Sequence, residues 1–182
     1  MQKKLLLSSR QLEITIQRLC HQLIENHQKF ENTVIIGLQP RGIYLAERIK
    51  AGLEKILKKE ISLGYLDITF YRDDFRRREK PAKANATSMP FIIEEKNVVL
   101  IDDVLFTGRS VRAALDAMTA FGRPQLVELL VLINRKYTRH LPIEPNYVGR
   151  NVNTLQSQRV FVDWMEAGSK SDSIWLGNKP GN

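Results

Sequence analysis

Two adjacent carboxylates, Asp102 and Asp103, follow the apolar run Val98–Ile101 and precede Thr107, Gly108 and Ser110. An apolar strand here would deliver both acids at its C-terminal edge, where open α/β sheets bind ligands. Gly108 lets backbone approach a ligand closely, and a helix opening there presents N–H groups and the positive end of its dipole. The hydroxyls of Thr107 and Ser110 add donors for the same anion. One segment, Val98–Ser110, thus offers a phosphate cradle beside two acids suited to sugar hydroxyls or metal-bound water. Two other readings of these residues stand beside it. The acids could form a helix-capping cluster with no substrate. They could also be the acidic pocket of a phospho-receiver or a Walker B strand, although the chain has no glycine-rich P-loop to accompany the latter.

Basic residues form the second group. The turn Gln39–Gly42 carries Pro40, Arg41 and Gly42. Residues 72–90 lose all periodicity and hold Arg72, Arg76, Arg77, Arg78, Lys80 and Lys83 against Asp73, Asp74 and Glu79. Pro81, Asn85 and Pro90 add breakers, so a long, flexible, basic loop is predicted, and loops of this length often act as lids. Over the whole chain 28 Lys and Arg face 20 Asp and Glu, a formal charge of +8. Such a surface attracts phosphate-bearing partners, either a small substrate or nucleic acid. The single cysteine, Cys20, excludes a disulfide framework and a multi-cysteine zinc module. His21, His27 and His140 lack metal-ligand spacing.

The elements that must position these groups follow from hydrophobic period. Ser8 and Gln11 form a capping box for a helix over 8–28, with Leu12, Ile16, Leu19 and Leu23 on one face. Thr33–Leu38 reads as a strand and Ile43–Lys58 as a helix. Residues 60–71 alternate as a strand whose phase slips at Gly64, which predicts a bulge. Val98–Ile101 is a buried strand, Ser110–Ala120 a helix and Leu126–Ile133 another strand. A basic turn over 134–140, a strand at Arg159–Val162 and a polar tail complete the chain. Strands alternating with helices predict one α/β domain over 1–182 with a mostly parallel sheet. Leu5–Leu7 is too short for a signal-peptide core, and Leu129–Ile133 spans about a quarter of a membrane, so a cytoplasmic location is expected.

The segment Val98–Ser110 resembles the phosphoribosyl-pyrophosphate (PRPP) signature of type I phosphoribosyltransferases. Gly37–Ala46, Asp67–Asp74, Asp102–Ala113, Leu141–Ile143 and Tyr147–Asn151 are similar to one branch, the PyrR-type bifunctional pyrimidine-operon regulators and uracil phosphoribosyltransferases. Phe106 is familiar in that branch, where many other members carry a small residue. The resemblance covers roughly residues 10–165. It implies a parallel sheet flanked by helices, plus a small hood from residues 134–165 and the N-terminus.

The implied reaction joins a free base, uracil by preference and a purine as the alternative, to PRPP with release of pyrophosphate. Asp102 and Asp103 would face the ribose hydroxyls. The backbone of Val104, Leu105, Phe106, Thr107, Gly108, Arg109 and Ser110 would hold the 5′-phosphate. Pro40, Arg41 and Gly42 would hold pyrophosphate, on a turn where either a non-proline cis peptide or a cis Gln39–Pro40 bond fits. Arg72 would swing over the pyrophosphate from the loop. Magnesium would be held mainly through PRPP and water near Asp102 and Asp103. Asn134 and Arg135 fall where the base is bound, in a segment that departs from the family by Asn134 in place of an acid, loss of a Gly-His pair and an inserted residue. Arg18, His21, Arg139 and Arg150 match RNA-facing positions of the regulators, so an mRNA leader is an expected partner, while Glu144 and Asn26 replace arginines there. A homo-oligomer is also implied.

Overall fold

The computed structural model describes residues 3–73 and 85–178. Five strands form the main sheet: β2 (Thr33–Leu38), β3 (Leu63–Leu66), β4 (Asn97–Leu105), β5 (Leu126–Lys136) and β6 (Tyr147–Asn153). They are parallel throughout and ordered β3-β2-β4-β5-β6. Every residue of β2 is buried, as the centre of such a sheet requires. Helices α1 (Ser9–His27) and α2 (Gly42–Leu57) cover one face and α3 (Arg109–Met118) the other. Alternation along β4 feeds both cores, with Val99 and Ile101 packing toward α1 and α2 and Val98 and Leu100 toward α3. The Ser8–Gln11 capping box opens α1 as its sequence predicts.

A second, antiparallel sheet forms the hood. Its order is β1-β8-β7, built from β1 (Lys4–Leu7), β7 (Gln158–Asp163) and β8 (Ser173–Asn178). Arginines of the body hold it down. Arg48 of α2 donates to both carboxylate oxygens of Glu166 and of Asp172 at 2.7–2.9 Å, and lies 4.7 Å from the ring centre of buried Trp164. Arg41 donates to the Val162 carbonyl, Arg135 to that of Gln158 and Arg150 to that of Leu6.

The structure corrects several boundaries. The hood does not contain 134–153, because β5 runs on to Lys136 and β6 pairs with it in the main sheet. The tail expected to be merely polar supplies β8, whose Ile174 is fully buried. The strand over 60–71 shrinks to β3, which ends where the Asp67 carboxylate accepts from the N–H and hydroxyl of Thr69. Gly64 makes no bulge: β3 pairs with β2 in unbroken register, and a Cβ there would lie 2.6 Å from Met89 Sδ. Within the loop expected over 72–90, residues 74–84 lie outside the described residues, while Ser88 pairs with Tyr65 at the sheet edge. Among the described residues no helix is long and apolar enough to cross a membrane.

Candidate active site

Strand β4 extends through Leu105, so Asp102 and Asp103 stand inside it rather than after it. The chain then turns at Thr107–Gly108 into α3. Gly108 sits at φ +90°, a conformation that favours glycine, directly at the helix N-cap. Neighbours from the β5–β6 connection fix this turn. The Thr107 carbonyl accepts from the N–H of His140 at 3.0 Å, and Arg139 donates to the Phe106 carbonyl. Arg139 is itself held by Asn134, whose Oδ1 accepts from Nη2 at 2.6 Å. The backbone of this turn is therefore braced from outside by the β5–β6 connection.

Two adjoining cavities open at the C-terminal edge of the sheet. The outer one, about 230 Å³, is bordered by Gln39–Arg41, Arg72, Asp102 and Ser110. The inner one, about 270 Å³, lies beneath the hood between Phe106, Arg135 and the β7 segment Arg159–Asp163. Arg41, Asp103 and Val104 border both. The Gln39–Pro40 peptide is cis, which decides between the two turn forms left open by the sequence. Gly42 lets the turn close on β4, since a Cβ would lie 2.6 Å from the Ile101 carbonyl and 3.3 Å from the Asp102 carboxylate.

Charge is concentrated at the junction. Arg41 Nε donates to Asp103 Oδ2 at 3.0 Å, and Arg72 Nη1 donates to Ser110 Oγ at 2.8 Å. Burial, followed by the neighbouring Asp103 carboxylate, pushes the Asp102 carboxyl well above the usual aspartate range. Arg109, in the first turn of α3, pairs with Asp73.

The structure brings most of the expected residues together and separates others. Asp102, Asp103, Arg72, Pro40, Arg41, Val104 and Ser110 line the outer cavity, and Phe106 and Arg135 the inner one. Leu105 points into the core at 2% exposure. Asn134 does not border the inner cavity; alternation along β5 turns it away from Arg135, toward Arg139 and Asn151. Of the RNA-facing set, Arg18, His21 and Arg150 lie along α1 and the adjoining β6, and Arg139 lies apart from them. Arg18 donates to the carbonyls of Val148 and Gly149, Arg150 reaches Leu6, Arg139 donates to the Phe106 carbonyl, and His21 is exposed on α1. The β7 wall of the inner cavity and the Arg48 clamp were missed by sequence reasoning. The sequence marks a strand at Arg159–Val162, but no local signal names what a strand covers.

Residues 3–166 match the Pribosyltran family, the phosphoribosyl transferase domain. The chain belongs to the phosphoribosyltransferase family. PRPP and a base are accordingly the substrates of this phosphoribosyltransferase. It is 43% identical over 159 residues to the "Bifunctional protein PyrR" of Caldicellulosiruptor bescii, covering 87% of each chain. It is 39% identical over 174 residues to the protein of that name from Elusimicrobium minutum, covering 96% of each. Among solved structures, the hypoxanthine phosphoribosyltransferase of Trypanosoma cruzi superposes with a TM-score of 0.72 at 13% identity, over 97% of both chains. A hypoxanthine-guanine phosphoribosyltransferase of Bacillus anthracis gives 0.68 at 17% identity, over 96% of this chain and 98% of that one. At such identities the phosphoribosyltransferase shares the fold with these two.

Proposed function

We propose that the chain transfers the ribose-5-phosphate of PRPP to uracil, giving the nucleoside monophosphate and pyrophosphate. The observation that carries this reading is the position of Asp103 on the border of both cavities. A ribose placed beside Asp103 would have its 5′-phosphate at the Thr107–Ser110 turn, its pyrophosphate toward Arg41 and Arg72, and its other face open to the inner cavity. Positive charge would develop on the ribose as the C1′–oxygen bond stretches, and a fixed carboxylate nearby stabilises it without reorganising. Arg41 and Arg72 would hold the departing anion, and the hood would exclude water from the inner cavity. Uracil is proposed from the likeness in sequence to the PyrR-type branch.

Magnesium is proposed as the cofactor. Among the described residues no three of His, Cys, Asp and Glu converge on a metal site, whereas two carboxylates border the outer cavity. That donor set fits an octahedral ion taking most of its ligands from PRPP and water. Bound there, the ion would neutralise charge on the leaving pyrophosphate.

The test is a panel of uracil, hypoxanthine, guanine, adenine and xanthine with PRPP and magnesium. Turnover with uracil supports the reading. Turnover with a purine alone overturns the choice of base, and none with any base overturns the enzyme reading.

The relatives' name, "Bifunctional protein PyrR", together with the charge of +8, supports a second activity, and an RNA leader is the partner we propose for it. Glu144 is exposed among the replaced positions, so Glu144→Arg should strengthen binding of a pyrimidine leader RNA in filter assays across a salt series. An unchanged affinity would take residue 144 out of any RNA surface.

A further inference from the structure

Arg135 is a cation inside the fold, 3% exposed. Its Nε donates to Thr154 Oγ1 at 2.9 Å, and its Nη2 to the carbonyls of Leu155 and Gln158 at 3.3 and 3.1 Å. The guanidinium carbon lies 3.8 Å from the centre of the Phe106 ring. All these partners are neutral. The two carboxylates in the wall of the inner cavity are engaged elsewhere, Asp103 with Arg41 and Asp163 with Ser173. Among the described residues, Nη1 of Arg135 makes no hydrogen bond. Burial alone pushes this guanidinium below its usual range. A buried cation with no counter-charge among the described residues is unfavourable, and neutral acceptors offset only part of that.

We infer that the inner cavity takes its nucleobase as the N-deprotonated anion, with Arg135 holding the charge through Nη1. The inference rests on that cavity being the base site. In a neutral base the reacting ring N–H commits its lone pair to the ring and is a poor nucleophile. Loss of that proton to solvent on binding leaves an electron pair on nitrogen and spreads negative charge onto the exocyclic carbonyl oxygens and the other ring nitrogens. The pair forms the C1′–N bond as the C1′–O bond breaks, and the electrons of the broken bond leave with pyrophosphate. Neither step needs another acid or base in the cavity.

Bases of equal size and unequal acidity test this. Uracil is compared with 5-fluorouracil, and hypoxanthine with 8-azahypoxanthine, the second member of each pair being the stronger acid. Initial rates are measured from about pH 6 to about pH 9, spanning the range where such N–H groups ionise. Expected is a lower KM for the more acidic member of whichever pair is used. The ratio should be about tenfold per unit of acidity difference at low pH and narrow as that member ionises in solution. Arg135→Gln should abolish the ratio. Arg135→Lys should keep it, and so should Thr154→Val, which removes a hydrogen bond from Arg135 without touching charge. If Arg135→Gln fails to fold, the wild-type pH series and the other two variants still decide. Equal KM values within a pair at every pH overturn the anion. A change in the KM for PRPP with none for the base, in either Arg135 variant, overturns instead the placement of the base.

Discussion

Arg41 Nε donates to Asp103 Oδ2 at 3.0 Å, and the same guanidinium donates to the Val162 carbonyl of the hood. One side chain therefore joins the turn after β2, the carboxylate on β4 and the strand that walls the inner cavity. A pyrophosphate that draws Arg41 away would release Asp103 toward the ribose and loosen β7 at once. Charge-assisted hydrogen bonds of this kind contribute roughly 1.5–3 kcal/mol each, enough to set which partner Arg41 takes.

Asp103→Asn should lower kcat by ~10²–10³-fold while changing the KM for PRPP only a few-fold, because its charge acts most strongly as the ribose becomes cationic. Steady-state kinetics with PRPP varied at saturating base measure this. An unchanged kcat would make the carboxylate a structural partner of Arg41.

Asp102 gives stability a pH dependence of definite sign. Its carboxyl in the folded chain titrates well above the usual range, first through burial and then through Asp103. Between the unfolded value near ~3.9 and the raised folded value, the folded chain binds the extra proton. Stability from this group is thus fully present below the unfolded value and declines as pH rises toward the folded one. Denaturant melts from acid to neutral pH should show the wild type losing stability relative to Asp102→Asn as pH rises. Parallel curves would mean that Asp102 titrates normally.

Gly42→Ala inserts a methyl group 2.6 Å from the Ile101 carbonyl and 3.0 Å from Asp102 Cα. Overpacking costs about 1–3 kcal/mol. The turn can relieve it only by moving off β4, so PRPP binding should weaken about tenfold for each ~1.4 kcal/mol lost. A variant with wild-type KM for PRPP would show that the turn need not touch the strand.

Arg139→Met removes the donor that fixes the Phe106 carbonyl and leaves Asn134 Oδ1 short of a partner. The KM for PRPP should rise roughly tenfold, in line with the loss of one charged hydrogen bond. Its affinity for a scrambled RNA should not change, since the guanidinium faces the phosphate turn. The reverse pattern would return Arg139 to the surface.

The elements that border the outer cavity were legible because their signals are local. The apolar run of β4, the paired acids and Gly108 lie within Val98–Ser110, and Gly42 opens α2 just beyond β2. The hood was misdrawn because its pairings are remote: Lys4 meets Leu176, and β8 announces itself with little more than Ile174 and Trp175. Polar residues misled for another reason. Asn134, Arg135 and Arg139 read alike as a basic turn, yet one lines a cavity and two brace a loop. The phase of β5 separates Asn134 from Arg135, and a strand longer than its apolar run hides that phase.

The middle strand of the hood is also the last in sequence, so β1 and β7 each wait for β8 to bridge them. During synthesis β2, β4, α3 and β5 emerge in an order that lets each pack on an earlier element, whereas Lys4 must close a loop over nearly the whole chain to reach Leu176. Such a contact raises the mean sequence separation of the fold and slows its formation more than it weakens it. A chain halted at residue 172 should bind PRPP but no base, which equilibrium binding of each would show. The two substrate sites would then mature in sequence on the ribosome, the sugar-phosphate cradle well before the roof over the base.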